Sequence, residues 1–242
     1  MRLQSNAFFL EMCKLLSVKI KKNAQSTPCC AKKRVFFMIR IAIFASGSGS
    51  NAENIAEYFR GHADIRVALI LSNNPGAYVH ERAKKLCIPT HTFSKAAFDE
   101  GSAVLDNLRA YKTDYIVLAG FLLKVSKPLL DAYPRRIVNI HPALLPKYGG
   151  KGMYGEKVHR AVVEAGETRS GITIHYVNEN YDEGDIIFQA SCEVSPGDAP
   201  EEVARKVHEL EYAYFPRVIE AVIKSQYSLN PFSLPEKEGK EG

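Results

Sequence analysis

Residues 136–146, Arg-Ile-Val-Asn-Ile-His-Pro-Ala-Leu-Leu-Pro, constrain the fold more than any other stretch of the chain. The stretch opens as a short apolar run rich in β-branched residues, which reads as a buried strand. Asn139 and His141 stand two residues apart, a spacing that puts both on one face of a strand. Pro142 follows at once; it cannot continue a central strand, and it biases His141 towards extended backbone. An amide and an imidazole therefore leave the end of a buried strand side by side, where an open α/β sheet binds its ligand. An Asn amide donates to a developing oxyanion, and an imidazole gives or takes a proton near neutral pH. The commoner use of polar groups at a strand end is to close a turn, so the rest of the chain has to decide between the two.

Residues 39–45 read as a buried first strand, followed by Ser46-Gly47-Ser48-Gly49-Ser50-Asn51 and a helical pattern over 52–59. Strand, glycine-rich turn and helix N-terminus together make an anion site. Small residues admit a phosphate to the backbone N–H groups, and the helix dipole favours negative charge. The spacing is neither the Gly-x-Gly-x-x-Gly of dinucleotide sites nor the Gly-Lys-Ser/Thr ending of a P-loop, so a plain βα connection is an equal alternative. Further strands are expected at 65–71, near 89–93 and at 115–118, with helices over 81–86, 96–111 and 154–165. Strands at 171–177 and 185–194 precede a long helix over 200–224, where Pro216 predicts a kink or break. This alternation predicts an α/β fold of three layers: a mostly parallel, twisted sheet with helices on both faces. The short 178–184 connection predicts an antiparallel addition near the C-terminus.

Residues 1–37 find no place in that pattern. They are expected to be an N-terminal extension, either disordered or lying upstream of a true start at Met38. Residues 38–224 are expected to form a single domain, and 225–242 a tail. The overall charge of +5 invites a nucleic-acid reading, but eight of the 32 Lys/Arg fall in residues 1–37 against one acid. The remainder carries 24 bases and 26 acids, so the charge says nothing about nucleic acid as a partner. The five cysteines form neither a zinc spacing nor a disulfide framework, and Cys87 and Cys192 are expected to be small buried hydrophobes. No apolar run approaches the roughly twenty residues of a membrane span. A cytoplasmic protein with no metal, no nucleic-acid partner and no membrane partner is expected.

A third polar group, Asp182, stands in the Asp-Glu-Gly turn between two apolar strands. A carboxylate beside His141 would favour the imidazolium or order a water, although Asp-x-Gly commonly does no more than make a turn. Taken together, residues 38–224 resemble the glycinamide ribonucleotide formyltransferases, folate-dependent enzymes of purine biosynthesis. The resemblance rests on Asn-Ile-His-Pro-Ala-Leu-Leu-Pro at 139–146, Ala-Ser-Gly-Ser-Gly-Ser-Asn at 45–51, Val-Leu-Ala-Gly-Phe at 117–121, and Thr-Ile-His-Tyr at 173–176 leading to Asp182-Glu183-Gly184. It implies a Rossmann-like formyltransferase fold. It also implies that Gly49, Ser50 and Asn51 bind the ribonucleotide phosphate and that Glu211 contacts the ribonucleotide. Asn139 and a protonated His141 would then stabilise the oxyanion with Asp182 as their charged partner. Leu122, Leu123 and Val125 would line the pterin pocket of 10-formyltetrahydrofolate, with Asn139, Asn178 and Asp182 completing it. Leu122-Leu123-Lys124 departs from relatives that carry a basic residue in this segment, and no second basic match falls near Asp99 to Ser102.

The expected reaction is direct transfer of the formyl group to the amine of glycinamide ribonucleotide, by a monomer or weak homodimer and without a metal. The alternatives are another folate-dependent formyltransferase or hydrolase of the same fold, or a non-catalytic mononucleotide-binding module. Methionyl-tRNA formyltransferase and formyltetrahydrofolate deformylase carry further domains for which the two tails leave no room. The non-catalytic module would account for Gly49, Ser50 and Asn51 but gives no reason for Asn139, His141 and Asp182 together.

Overall fold

A computed structural model describes residues 38–229; the expected extension 1–37 lies outside the described residues, as does the tail beyond 229. In chain order the elements begin β1 (Ile39–Phe44), α1 (Ser50–Tyr58), β2 (Ile65–Ser72), α2 (Val79–Lys85) and β3 (Thr90–Thr92). They continue α3 (Lys95–Glu100), α4 (Ser102–Ala110), β4 (Tyr115–Leu118), α5 (Lys127–Ala132) and β5 (Ile137–His141). Last come α6 (Glu156–Glu164), β6 (Arg169–Tyr176), β7 (Ile186–Glu193) and α7 (Pro200–Leu229). The seven strands form one sheet in the order β3-β2-β1-β4-β5-β6-β7. The first five pair in parallel, whereas β6 runs antiparallel to both β5 and β7. The expected α/β class, the mostly parallel sheet and the antiparallel addition are all present.

Strand residues alternate between two cores. Ile41 and Ile43 pack with α1, α2, α6 and α7 on one face. Ala42 and Phe44 pack with α3, α4 and α5 on the other. Both faces are therefore covered, which is why these strands read as continuous apolar runs. The strand order reverses between β1 and β4, and a crevice opens there at their carboxyl ends.

Three local expectations change. The helix expected over 96–111 divides at Gly101, whose φ of +85° ends α3 and starts α4. A short helix, α5, occupies residues where none was expected; Pro128 near its start fixes φ without losing a needed donor. Helix α7 runs unbroken through Pro216 and beyond Lys224 to Leu229. Pro216 has no N–H for the carbonyl of Tyr212, and the side-chain amide of Asn54 on α1 donates to that oxygen instead, at 3.1 Å. Cys87 is exposed, and Cys192 is only partly buried. Cys87 ends the turn after α2 with φ +56°, outside the core that its composition suggested.

Candidate active site

The loop after β1 is held open by its neighbours. Ser46 donates its hydroxyl to Asn73 Oδ1 (2.6 Å) and accepts the N–H of Leu122 (3.0 Å), tying the loop to the segment after β4. Gly49 sits at the N-terminus of α1 with φ +74°, and no side chain caps the helix. The first N–H groups of α1 are therefore available to an anion. A Cβ at Gly49 would stand 2.4 Å from Val79 Cγ2, so glycine is demanded here by packing against α2 as well as by backbone conformation. At Gly47 nothing lies within 4 Å of a Cβ, and any side chain there would project into open space. Asn51 is buried and donates to Glu211 Oε2 (2.8 Å), which is buried in turn and also bonds His208 Nδ1 (2.8 Å). Sequence positions 51 and 211 thus meet through α1 and α7.

The second cluster stands at the end of β5. Asn139 pairs with His175 across the antiparallel β5–β6 ladder, and its Nδ2 lies 3.1 Å from His175 Nε2. His175 Nδ1 donates to the carbonyl of Tyr176 (2.8 Å), which turns Nε2 towards Asn139 and Asp182. Asp182 closes the group. Its Oδ2 lies 3.5 Å from His141 Nδ1 and accepts the N–H of Gly150 (2.9 Å). Its Oδ1 lies 3.5 Å from Asn139 Nδ2 and 3.6 Å from His175 Nε2. The turn can bring the carboxylate here because Asp182 adopts φ +57° and because Gly184 passes against the Tyr176 carbonyl, where a Cβ would stand 1.7 Å from that oxygen.

Burial alone would raise the Asp182 carboxyl. His175, His141 and the Gly150 N–H outweigh it and hold the group below the ordinary aspartate value. His141 behaves differently from the expected imidazolium. Burial pushes it below the ordinary histidine value, and Asp182 and the Tyr148 carbonyl offset only part of that push. Its Nε2 lies 2.7 Å from the Tyr148 carbonyl, to which it donates. A second proton, on Nδ1, would face Asp182. The ligand-free site thus holds a neutral imidazole with an acceptor ready for each of its nitrogens.

Both clusters line one cavity of about 1100 Å³. Gly49, Ser50, Asn51, Glu211, Leu122, Asn139, His141 and Asp182 all contribute to its wall. The remaining expectations for the pterin pocket change. Leu123 and Val125 line an adjoining depression of about 860 Å³ instead, and they pack into the core on the α3–α5 side of the sheet. Asn178 lines neither, and its Oδ1 accepts the N–H of Asn180 in a local turn. The wall beside Leu122 is built by Ala119, Gly120 and Phe121, and Phe121 stacks edge-on against Phe44, Phe93 and Phe98. The adjoining depression carries Lys95, Lys124, Lys127 and Lys151 together with Asp99 and Glu183. Among the described residues no cluster of His, Cys, Asp or Glu has the makings of a metal site.

A comparison with known families matches residues 39–219 to Formyl transferase. The chain belongs to that family. It is 37% identical to the chloroplastic phosphoribosylglycinamide formyltransferase of Arabidopsis thaliana, a match covering 93% of this chain and 81% of that protein. It is also 37% identical to the Bacillus subtilis phosphoribosylglycinamide formyltransferase, covering 77% of this chain and 95% of the relative. The solved phosphoribosylglycinamide formyltransferase of Bacillus halodurans aligns with a TM-score of 0.71 at 35% identity, over 80% of this chain and 100% of that one.

The protein is therefore an enzyme, a formyltransferase with a Rossmann-like sheet. No helix among its described residues is long and apolar enough to cross a membrane. Several groups at this formyltransferase's site were not singled out from the sequence. Tyr148 acts through its backbone carbonyl, Gly150 through its N–H, and no side-chain pattern reports either. His159 and His208 lie on helices α6 and α7, where a histidine looks like any other helical residue. His175 sits in a motif quoted above, and only the β5–β6 pairing shows that it faces Asn139.

Proposed function

We propose that this formyltransferase moves the formyl group of 10-formyltetrahydrofolate onto the primary amine of glycinamide ribonucleotide, a step of purine biosynthesis. The observation that carries the reading is the sharing of one cavity by an uncapped helix N-terminus and an Asn–His–Asp group built round the buried His141. The first suits a phosphate monoester and the second an acyl transfer. The names of the relatives agree with it.

In this reading Gly47, Gly49, Ser50 and Asn51 take the phosphate on backbone N–H groups, and Glu211 holds the ribonucleotide while fixing Asn51. Ala119, Phe121 and Leu122 offer an apolar wall to a flat heterocycle, and Asn139 and Asp182 supply the polar contacts at its edge. The amine attacks the formyl carbon, and the carbonyl oxygen becomes anionic. Asn139 Nδ2 and the Nε2–H of His141, which exchanges the Tyr148 carbonyl for the new oxyanion, donate to it, a contribution that commonly dominates acyl transfer. The C–N bond to the folate then breaks, and the proton leaving the amine ends on the departing folate nitrogen. His141 is neutral in the free site, so it becomes the imidazolium by taking the proton that leaves the amine, with Asp182 opposite Nδ1 to balance the charge, and it returns that proton to the folate nitrogen as the C–N bond breaks. No side chain needs to bond covalently to the formyl group.

The deciding experiment is a formyl-transfer assay on the purified protein with 10-formyltetrahydrofolate, comparing glycinamide ribonucleotide with other amines. Stoichiometric formylated ribonucleotide and tetrahydrofolate are expected. Tight ribonucleotide binding with no folate-dependent turnover would instead make the protein a mononucleotide-binding module.

A further inference from the structure

His159 is a buried, titratable side chain in the cavity wall that the reaction above leaves without a task. It sits on α6, 2% exposed, and its Nδ1 is buried without a hydrogen-bond partner. Among the described residues neither ring nitrogen is hydrogen-bonded to the protein. Buried polar side chains are nearly always paired, so a bare imidazole needs a reason. A second orphan lies in the same wall: Asn51 Oδ1 is buried and unpartnered, although Asn51 Nδ2 is held by Glu211.

Position narrows the reason. The His159 ring centroid lies 6.4 Å from that of His208. The charged and titratable groups that act on it are His208 and Glu211 from α7, His141 from β5, and Glu156 from its own helix. His159 therefore shares the cavity wall with the carboxylate that fixes Asn51 and with the imidazole of His141, and feels the charge of both. Burial holds it below the ordinary histidine value, so near pH 7 it is neutral, with one donating and one accepting nitrogen. Such a ring matches an amide, which offers both an N–H and a C=O, better than it matches a phosphate.

We propose that His159 is a positioning residue that hydrogen-bonds the amide-bearing arm of the nucleotide substrate, between its sugar and its attacking amine. The proposal rests on the ribonucleotide reading given above. A substrate held only at its phosphate would pivot about residues 47–51. A second hold midway fixes the amine against the formyl carbon, the kind of orientation that makes a bound pair react as one molecule.

The test compares two ligands by calorimetry: glycinamide ribonucleotide, and ribose 5-phosphate, which has the phosphate and sugar but not the arm. The variants are His159→Leu, His159→Asn and His159→Gln; the two amides place a polar group near the Nδ1 and Nε2 positions respectively. His159→Leu is expected to weaken glycinamide ribonucleotide about 10- to 100-fold while leaving ribose 5-phosphate within about twofold. Because it removes an unpaired buried polar group, it should also raise the melting temperature of the free protein by about 2–4 °C. At least one of the amide variants should recover most of the affinity. If His159→Leu does not fold, His159→Phe, which keeps an aromatic ring, takes its place. Equal losses for both ligands, or unchanged affinity for glycinamide ribonucleotide, would overturn the proposal. Wild-type protein that binds ribose 5-phosphate but not glycinamide ribonucleotide would instead refute the ribonucleotide reading itself.

Discussion

Asp182→Asn keeps the outline of the 178–184 turn and removes one charge from the site. Asn tolerates the φ of +57° as well as Asp does, and its carbonyl still accepts the Gly150 N–H. What disappears is attraction for a proton on His141. The two groups are 3.5 Å apart, with side chains 4% and 11% exposed. At an effective dielectric constant of about 20, unit charges at that distance attract by about 5 kcal/mol. Part of that is spent on desolvating the carboxylate, which burial disfavours. A surviving 3–4 kcal/mol corresponds to a loss of about 10²- to 10³-fold in kcat, the scale typical of a lost oxyanion donor. Affinity for the ribonucleotide, which the proposed reading places at the other cluster, should stay within about twofold.

The assay is steady-state formyl transfer for Asp182→Asn, His141→Ala and the double variant, with calorimetric ribonucleotide affinity as the control. In the proposed mechanism Asp182 acts through His141, so the double variant should lose little beyond His141→Ala alone. The carboxylate raises His141's proton affinity, so its loss moves the acid limb of the Asp182→Asn pH–rate profile to lower pH. Losses that multiply would show that Asp182 has an independent task, such as holding the folate. If neither substitution touches kcat, Asn139 and His141 merely close a turn, and the mechanism is wrong.

Gly47→Ala should fold normally and raise the KM for the ribonucleotide far more than for the folate, because its methyl group enters open space beside the anion site. Gly49→Val should instead destabilise the whole protein by more than about 2 kcal/mol in chemical denaturation, since it strikes Val79 and forces a strained φ. Glu211→Ala should lower stability by about 1.5–3 kcal/mol and weaken the ribonucleotide, because it strips a charged partner from both Asn51 and His208. Stability should depend on pH with opposite signs in two windows. His141 and His159 have lowered values when folded, so stability is complete above the ordinary histidine value of 6.5 and falls as pH drops through it, when the unfolded chain takes up those protons. His208 is raised by Glu211, so its contribution is complete below 6.5 and is lost as pH rises through its folded value. Thermal melts of His159→Leu and His208→Gln across pH 5–8 should flatten the lower and upper windows respectively.

Much of this protein is legible along the chain because its strands and the loop after β1 are local objects. Residues 41–44 are apolar on both faces, and only a doubly covered sheet accepts such a strand, so the three layers follow from the pattern of residues. The glycines after β1, and Asn139 two residues before His141, announce a loop and a shared strand face for the same reason. The split at Gly101 and the passage of α7 through Pro216 were not legible, because each depends on a distant neighbour. A Cβ at Gly101 would press against Pro128, and Asn54 replaces the donor that Pro216 lacks. The ionisation of His141 was not legible either. A carboxylate in the sequence suggests an imidazolium, but desolvation depends on everything packed around the ring, and here burial outweighs the charge. Asn51 meeting Glu211, and His159 standing without a partner, exist only once α1, α6 and α7 lie together on one face of the sheet. Hydrogen bonds and dielectric environment are properties of neighbours in space, whereas periodicity records only neighbours in sequence.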